Sequence, residues 1–332
     1  MNFAKSPGSF EVKEILVPVF DGGKYFYYSM KKISIDTLSA ANSIEKENNA
    51  RVYFSGLKDS TASTVQWICA EKKLATPADA RISLEFFGKS SKKIFAGMHS
   101  ANYFKIRLTD VGIKEKKFLS KQLKKSVFPN YFDDQRFNDK TTALGKALLE
   151  KNFESAAKIA LTKKLAFESE KSMQIKKLIS DNWGNWETLL AKDTIPEIKK
   201  KIFALLKQEN DFEKAVLLLE PKSVSLACRA IQSAQFNESL KAEIGKQKNR
   251  GQKSIEIFSS NFPINFSPKG IKRQLEIPPV FPQKNSLERK TFFNAKNIKT
   301  AFNASNCTLE FELKKGSYAT ILVKCIKELA GK

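Results

Sequence analysis

The chain reads as an α+β protein: a sheet assembled from both ends of the sequence, with a mainly helical domain inserted between them. Three observations predict this. Over the first 110 residues, apolar and polar side chains alternate in short runs broken by turn residues, the period of a half-buried strand. From 113 the period changes to that of a helix, with Leu119, Leu123 and Val127 four residues apart, and 141–245 reads mainly as helices. Near the end, Leu309, Phe311 and Leu313 alternate again. A sheet interrupted by helices and then resumed predicts a core of 1–137 plus 296–332 carrying an insertion of 138–295.

Taken in order, Val52 and Phe54 share one face of a strand, and Val65, Trp67 and Cys69 share one face of another, so Gly56 to Ser63 is a loop rimmed by two strands. After a turn at Met98 to Ala101, Phe104, Ile106 and Leu108 alternate with Tyr103, Lys105 and Arg107. Leu119, Leu123 and Val127 then recur every four residues among Lys116, Lys117, Lys121, Lys124 and Lys125, predicting an amphipathic helix with a basic outer face. Such a face is either solvated or a grip for phosphate. A faint repeat follows: Leu148-Leu149-Glu150-Lys151-Asn152-Phe153-Glu154 is echoed around Leu205-Leu206 and Asp211-Phe212-Glu213, each copy fitting a helical hairpin. Residues 246–295 hold Pro263, Pro268, Pro278, Pro279 and Pro282 and predict irregular structure. Lys315-Gly316-Ser317 turns the chain into a last helix carrying Ala319, Leu322, Val323, Ile326 and Leu329.

An apolar fraction of 42% with 26 Phe in 332 residues supports a large core. Fifty-eight Lys and Arg against 35 Asp and Glu give a net charge of +23, which suits a polyanionic partner. A generally lysine-biased composition gives the same balance. Cys69, Cys228, Cys307 and Cys325 stand far apart without metal-ligand spacing, so no metal and no disulfide framework is expected. No apolar run reaches the roughly 18 residues of a membrane span, and the first residues lack a signal-peptide core. The expectation is a soluble cytoplasmic protein without a membrane association.

With His99 the only histidine, a Ser-His-Asp triad or a metal-hydrolase scheme would have to use His99 alone, and chemistry otherwise falls to carboxylates. Asp59 is the candidate, with Lys58 beside it favouring the ionised form and Gly56 allowing a tight turn. Read alone, Lys58-Asp59 is also an ordinary turn between two strands, and Tyr131, Phe132 and Phe137 are ordinary core aromatics.

Residues 54–66 contain Gly56, Lys58, Asp59, Ala62, Thr64 and Gln66, and 129–137 read Pro-Asn-Tyr-Phe-Asp-Asp-Gln-Arg-Phe. The first set resembles the Gly-x-Lys-Asp-x-x-Ala-x-Thr-x-Gln signature of the TruD family of tRNA pseudouridine synthases, and the second its Asn-Tyr-Phe-Gly-x-Gln-Arg-Phe-Gly element. Pro7, Phe10, Val12 and Glu14 are similar to the family's opening, Lys32 with Thr37 to its Lys-x4-Thr spacing, and Gly97, Asn102 and Phe104 to its Gly-x3-Gly-Asn-x-Phe turn. Gln232 to Asn237 and Gly316 to Thr320 match two further motifs in family order. Asp133, Asn138 and Ala101 stand where the family has glycine, Ser60 where it has Lys or Arg, and Ala4 where it has an active-site lysine, with Lys5 one place along.

The resemblance implies a pseudouridine-synthase-like sheet domain, mixed or antiparallel, with a basic, RNA-clamping insertion. It implies isomerisation of a flipped-out uridine in tRNA, commonly at position thirteen, with Asp59 as the catalytic aspartate and no cofactor. Phe132 would stack on the base and Asn130 hydrogen-bond in the site, while Lys58, Gln66, Thr64, Arg136, Asn102 and Lys5 complete the expected substrate- and RNA-binding set. The carboxylate would attack C1′, add to the base, or remove the ribose 2′ proton. tRNA is the expected partner, with no protein partner and a monomeric state. The alternative is a catalytically silent RNA-binding or RNA-chaperone relative on the same scaffold.

Overall fold

The computed structural model describes residues 1–133, 139–163, 170–219, 221–249 and 289–330. It divides into two units. Among the described residues, the first holds Met1–Asn130 and the chain from Phe292 onward; the second holds those between Tyr131 and Thr291. The chain crosses between them after Asn130 and again after Thr291, whereas the sequence pattern set its boundaries at 137 and 295. The Pro-rich stretch from 250 to 288 lies outside the described residues, as does Arg136.

The first unit is built on an eight-stranded mixed sheet. Its strands are β1 (Phe10–Ile15), β2 (Tyr25–Ile33), β3 (Val52–Phe54), β4 (Ser63–Ala70), β5 (Ile82–Ser90), β6 (Ala101–Leu108), β9 (Lys296–Asn303) and β10 (Asn306–Lys314), and the short β7 (Phe128–Pro129) pairs separately with β8 (Phe292–Phe293). The order is β5-β2-β4-β1-β6-β10-β9, with β3 beside β4; β1 and β4 run parallel and the other pairs antiparallel. Two strands from the end of the chain thus complete a sheet begun at its start. Phe10, Phe104 and Phe311 stack in a row across β1, β6 and β10, with centroids 6.0 and 5.4 Å apart. These offset ring contacts add to the burial of the three side chains.

The alternation of residues 63–70 puts Ile68 and Ala70 on one face, in a core with Tyr28 and Met30, and Trp67 and Cys69 on the other with Tyr27 and Ile94. The first face is covered by a helix absent from the sequence reading, α1 (Thr37–Asn48). Its buried residues Ala40, Ala41 and Ile44 are small or few, so its apolar stripe is faint. Its start is marked more clearly: Asp36 accepts from the backbone N–H groups of Leu38 and Ser39 at 2.9 and 3.0 Å.

The basic segment after β6 departs from the single helix expected of it. A short α2 (Ile113–Lys117) gives way to a π turn over Phe118–Gln122 and a 3-10 turn over Leu123–Lys125. The widened turn lets Phe118, Leu119 and Leu123 all be buried, while Lys114, Lys117, Lys121, Lys124 and Lys125 stay exposed.

The second unit contains α3 (Asp139–Leu149), α4 (Phe153–Thr162), α5 (Glu170–Asp181), α6 (Trp186–Leu190), α7 (Glu197–Glu209), α8 (Phe212–Leu217) and α9 (Pro221–Asn249). The faint repeat corresponds to two hairpins, α3–α4 and α7–α8. In each, a polar side chain of the echoed motif caps the second helix: Asn152 accepts from Ser155 N–H and Asp211 from Lys214 N–H. Helix α9 continues through Asn249, into a stretch expected to be irregular. The chain ends in α10 (Ala319–Ala330), whose Leu322, Val323 and Ile326 are buried in the first unit. No helix among the described residues is long and apolar enough to cross a membrane.

Candidate active site

Residues 55–62 connect β3 to β4, and Asp59 lies near their middle. What fixes this loop is a layer of polar side chains on the sheet face below it. Strand register dictates the layer. Lys32 pairs with Thr64, Met30 with Gln66, Val12 with Thr64 and Glu14 with Asn102, and directly paired residues share a face. Lys32, Thr64, Gln66, Glu14 and Asn102 are therefore gathered on one side of the sheet by strands that are distant in sequence.

The layer grips the loop backbone. Gln66 Oε1 accepts from Thr37 Oγ1 at 2.9 Å, and its Nε2 donates to the Gly56 carbonyl at 3.3 Å. Thr37 Oγ1 accepts from Lys58 N–H at 2.8 Å. Lys32 Nζ, fully buried, donates to the carbonyls of Ile35, Lys58 and Asp59 at 2.7, 3.4 and 2.9 Å. Such buried polar groups are stable only because they are paired.

A second cluster stands behind the loop. Lys58 Nζ pairs with Glu14 Oε1 at 2.7 Å, and Glu14 Oε2 accepts from Trp67 N–H at 3.1 Å. His99 Nδ1 lies 2.6 Å from Ser55 Oγ and 3.4 Å from Glu14 Oε1. Burial, joined by Lys58, lowers the imidazole pKa against the opposing pull of Glu14. Gly56 does not supply the positive φ expected of a tight turn; it supplies room, since a Cβ there would lie 3.3 Å from His99 Cε1.

The partner of Asp59 is Lys5, not Lys58. Adjacent residues of the loop point to opposite sides, so Lys58 is spent on Glu14 while Lys5 pairs with Asp59 Oδ2. The Lys5 ammonium also sits 5.2 Å from the centroid of Phe10. Asp59 Oδ1 accepts from Thr61 N–H and Thr61 Oγ1, both at 2.9 Å. Burial pushes the Asp59 pKa up, but the Lys5 and Thr61 bonds outweigh it and hold the carboxyl below its ordinary value. The arrangement presents an ionised carboxylate, 22% exposed, on a fixed loop.

Several residues expected to meet RNA lie elsewhere. Thr64 and Gln66 are buried beneath the loop, because the register turns them to the covered face, and the Lys58 side chain, in the loop itself, is 7% exposed and turned to Glu14. Thr64 Oγ1 and Asn102 Oδ1 are buried without a hydrogen-bond partner. Ala101, in place of a family glycine, opens β6 in extended backbone that any residue adopts. Asn130, at the end of the first unit, is buried.

Phe132 belongs to the second unit, where its backbone is bracketed by one side chain. Asn237 Oδ1 accepts from Phe132 N–H at 2.8 Å, and Asn237 Nδ2 donates to its carbonyl at 2.9 Å. The ring meets Phe236 edge to face at 5.6 Å, and the Arg289 guanidinium lies 3.9 Å from its centroid. Arg289 and Glu14 were legible only as a charge in a basic stretch and as a family match. Among the described residues no cluster of three metal-ligating side chains occurs.

The family model described as tRNA pseudouridine synthase D (TruD) matches residues 1–256. "Probable tRNA pseudouridine synthase D 1" of Methanococcus maripaludis is 28% identical over 384 residues, covering 98% of each chain. "Probable tRNA pseudouridine synthase D" of Nanoarchaeum equitans is 31% identical over 349 residues, covering 92% of this chain and 87% of its own. A Methanosarcina mazei crystal structure solved under the TruD name covers 97% of this chain with 94% of its own, at a TM-score of 0.61 and 20% identity, a likeness of fold.

Proposed function

Since the chain belongs to the tRNA pseudouridine synthase D (TruD) family, we propose that it isomerises a flipped-out uridine of tRNA to pseudouridine, with Asp59 as the catalytic carboxylate and uridine 13 as the target. The observation that carries this reading is the Asp59 carboxylate kept ionised by Lys5 and Thr61 on a loop that buried side chains hold from below. Holding a carboxylate by hydrogen bonds while it stays partly open suits a nucleophile or base and disfavours a proton donor. The three routes by which it would act, through C1′, through the base or through the ribose 2′ proton, all require that ionised form.

The first unit supplies the chemistry and the helical insertion clamps RNA. Phe132 and Asn130 contact the extruded base. The exposed lysines between 114 and 125 and Lys241 of α9 hold phosphates, so binding weakens as salt rises. The enzyme acts as a cytoplasmic monomer on tRNA.

The test is to incubate the protein with unmodified tRNA transcripts and map pseudouridine by carbodiimide adducts and reverse-transcription stops. A stop at one uridine, lost in Asp59→Asn with RNA affinity retained, supports the assignment. Tight binding with no stop on any transcript moves the reading to a silent RNA-binding relative. Loss of binding in Asp59→Asn assigns the aspartate a structural role.

A further inference from the structure

We propose that Lys32 is a positioning residue for the reaction: its ammonium, sealed beneath the loop, holds the Asp59 backbone in register, and turnover requires that this ammonium stay charged. The inference rests on the reading of Asp59 as the catalytic carboxylate.

Lys32 has no exposed surface, and among the described residues no carboxylate forms an ion pair with it. Its three N–H donors meet three backbone carbonyls instead, one from the turn before α1 and two from consecutive residues of the catalytic loop. An ammonium has three donors and no acceptor, so the site is matched to the charged form. Removing one proton leaves two donors and turns a lone pair toward a carbonyl oxygen, and the bonds that remain lose their charge assistance. The carbonyl groups of Lys58 and Asp59 are the ones at stake, which ties the charge on Lys32 directly to where the Asp59 side chain projects.

The charges facing Lys32 are few. Asp36 at the cap of α1 and Asp59 in the loop favour its protonated form, and Lys58 opposes it. Lys58 is itself paired with Glu14, and Lys5 with Asp59. Burial is the largest influence and brings the group down to about 8. The sign of the linked stability runs the other way from the rate. With the folded-state value below the unfolded one, the unfolded chain binds the extra proton above pH 8, so this group does not lower stability as pH rises through that point. Rate and stability should therefore separate on the alkaline side.

The experiment measures kcat, KM and melting temperature on a tRNA transcript at pH values either side of 8 for the unaltered protein, Lys32→Met and Asp59→Asn. The expected result is a kcat that falls as pH rises through 8 without a matching fall in melting temperature. Lys32→Met should show kcat lower by about 10²-fold, the cost of a small misplacement of a catalytic group, with KM within about twofold and no alkaline fall. Should Lys32→Met fail to fold, Lys32→Arg, charged throughout this interval, must move the fall to higher pH. A rate that is level through pH 8, or an alkaline fall retained in Lys32→Met, overturns the proposal. An active Asp59→Asn removes the catalytic reading beneath it; an inactive Asp59→Asn beside a Lys32→Met of unchanged kcat removes this inference alone.

Discussion

Lys5 closes its ammonium on the Asp59 carboxylate across 54 positions of sequence, joining the approach to β1 to the loop between β3 and β4. The contact sets the protonation of Asp59. Burial alone would raise the carboxyl, and Lys5 is the foremost influence opposing it. The folded-state value is therefore depressed, and the ionised form persists as pH falls below the ordinary carboxylate range. Lys5→Met removes that influence while keeping an apolar stem over Phe10. We predict that the acid side of the kcat/KM profile moves to higher pH and that activity near neutrality drops. A profile unmoved by Lys5→Met would show that Thr61 suffices to keep Asp59 ionised.

Glu14 has a fully buried carboxylate paired at 2.7 Å with Lys58, itself only 7% exposed, and 3.4 Å from the His99 ring. Removing one partner of a buried pair leaves the other charge without compensation, at a cost of about 3–5 kcal/mol. Glu14→Gln keeps the shape and the acceptor for Trp67 N–H while removing both the charge and the acceptor that Lys58 meets, so its effect reads the Lys58 pair. We expect that loss in urea-induced unfolding, and a partial recovery in Glu14→Gln with Lys58→Met, where neither charge remains. Additive losses in the double variant would deny the coupling.

The strands flanking the loop were readable because alternation is local: Val52 and Phe54, or Val65, Trp67 and Cys69, need no information beyond their own spacing. The polar layer was not. Lys32, Thr64, Gln66 and Glu14 become one cluster only through pairing between strands, and a buried Lys in a strand looks in sequence like any exposed one. The motif match named these residues without saying that they face inward, which is why Gln66 and Thr64 were expected to touch RNA. Helix α1 escaped for a different reason. Its core contacts come from two alanines and one isoleucine, too slight a stripe to notice, although Asp36 at its cap was a usable signal. Lys5 was named but its partner was not, since proximity in sequence favoured Lys58.

Phe132, proposed to stack on the base, is held in place by its own unit. Asn237 fixes its backbone from both sides, and Arg289 lies over its ring at 3.9 Å. A base stacked on an aromatic side chain contributes about 1–3 kcal/mol. Phe132→Ala should raise KM for the tRNA substrate or lower kcat by the corresponding factor, with Phe132→Tyr near the unaltered protein. Asn237→Ala, which leaves the ring itself intact, should show a weaker version of the same change. Equal kinetics for Phe132→Ala and the unaltered protein would remove the stacking role.

Gly145 in α3 lies against α9 so closely that an added Cβ would stand 2.6 Å from the Ala227 carbonyl oxygen and 2.6 Å from Ile231 Cγ1. Two effects of Gly145→Ala compete. Alanine is favoured over glycine in a helix interior by about 1 kcal/mol, which alone would stabilise the unit. The clash opposes it: Ile231 can rotate, but the carbonyl belongs to helix backbone, so α3 and α9 must part and disturb the packing around Leu144 and Ala227. Overpacking of this kind costs about 1–3 kcal/mol, and because the obstacle is backbone the upper part of that range applies. The net expectation is destabilisation of the helical unit. Trp183 and Trp186 both lie in that unit, so in a Trp67→Phe background their emission follows it during urea unfolding. A midpoint shifted to lower urea in Gly145→Ala supports the close crossing, and a midpoint shifted upward would mean that the helices part without cost and propensity decides.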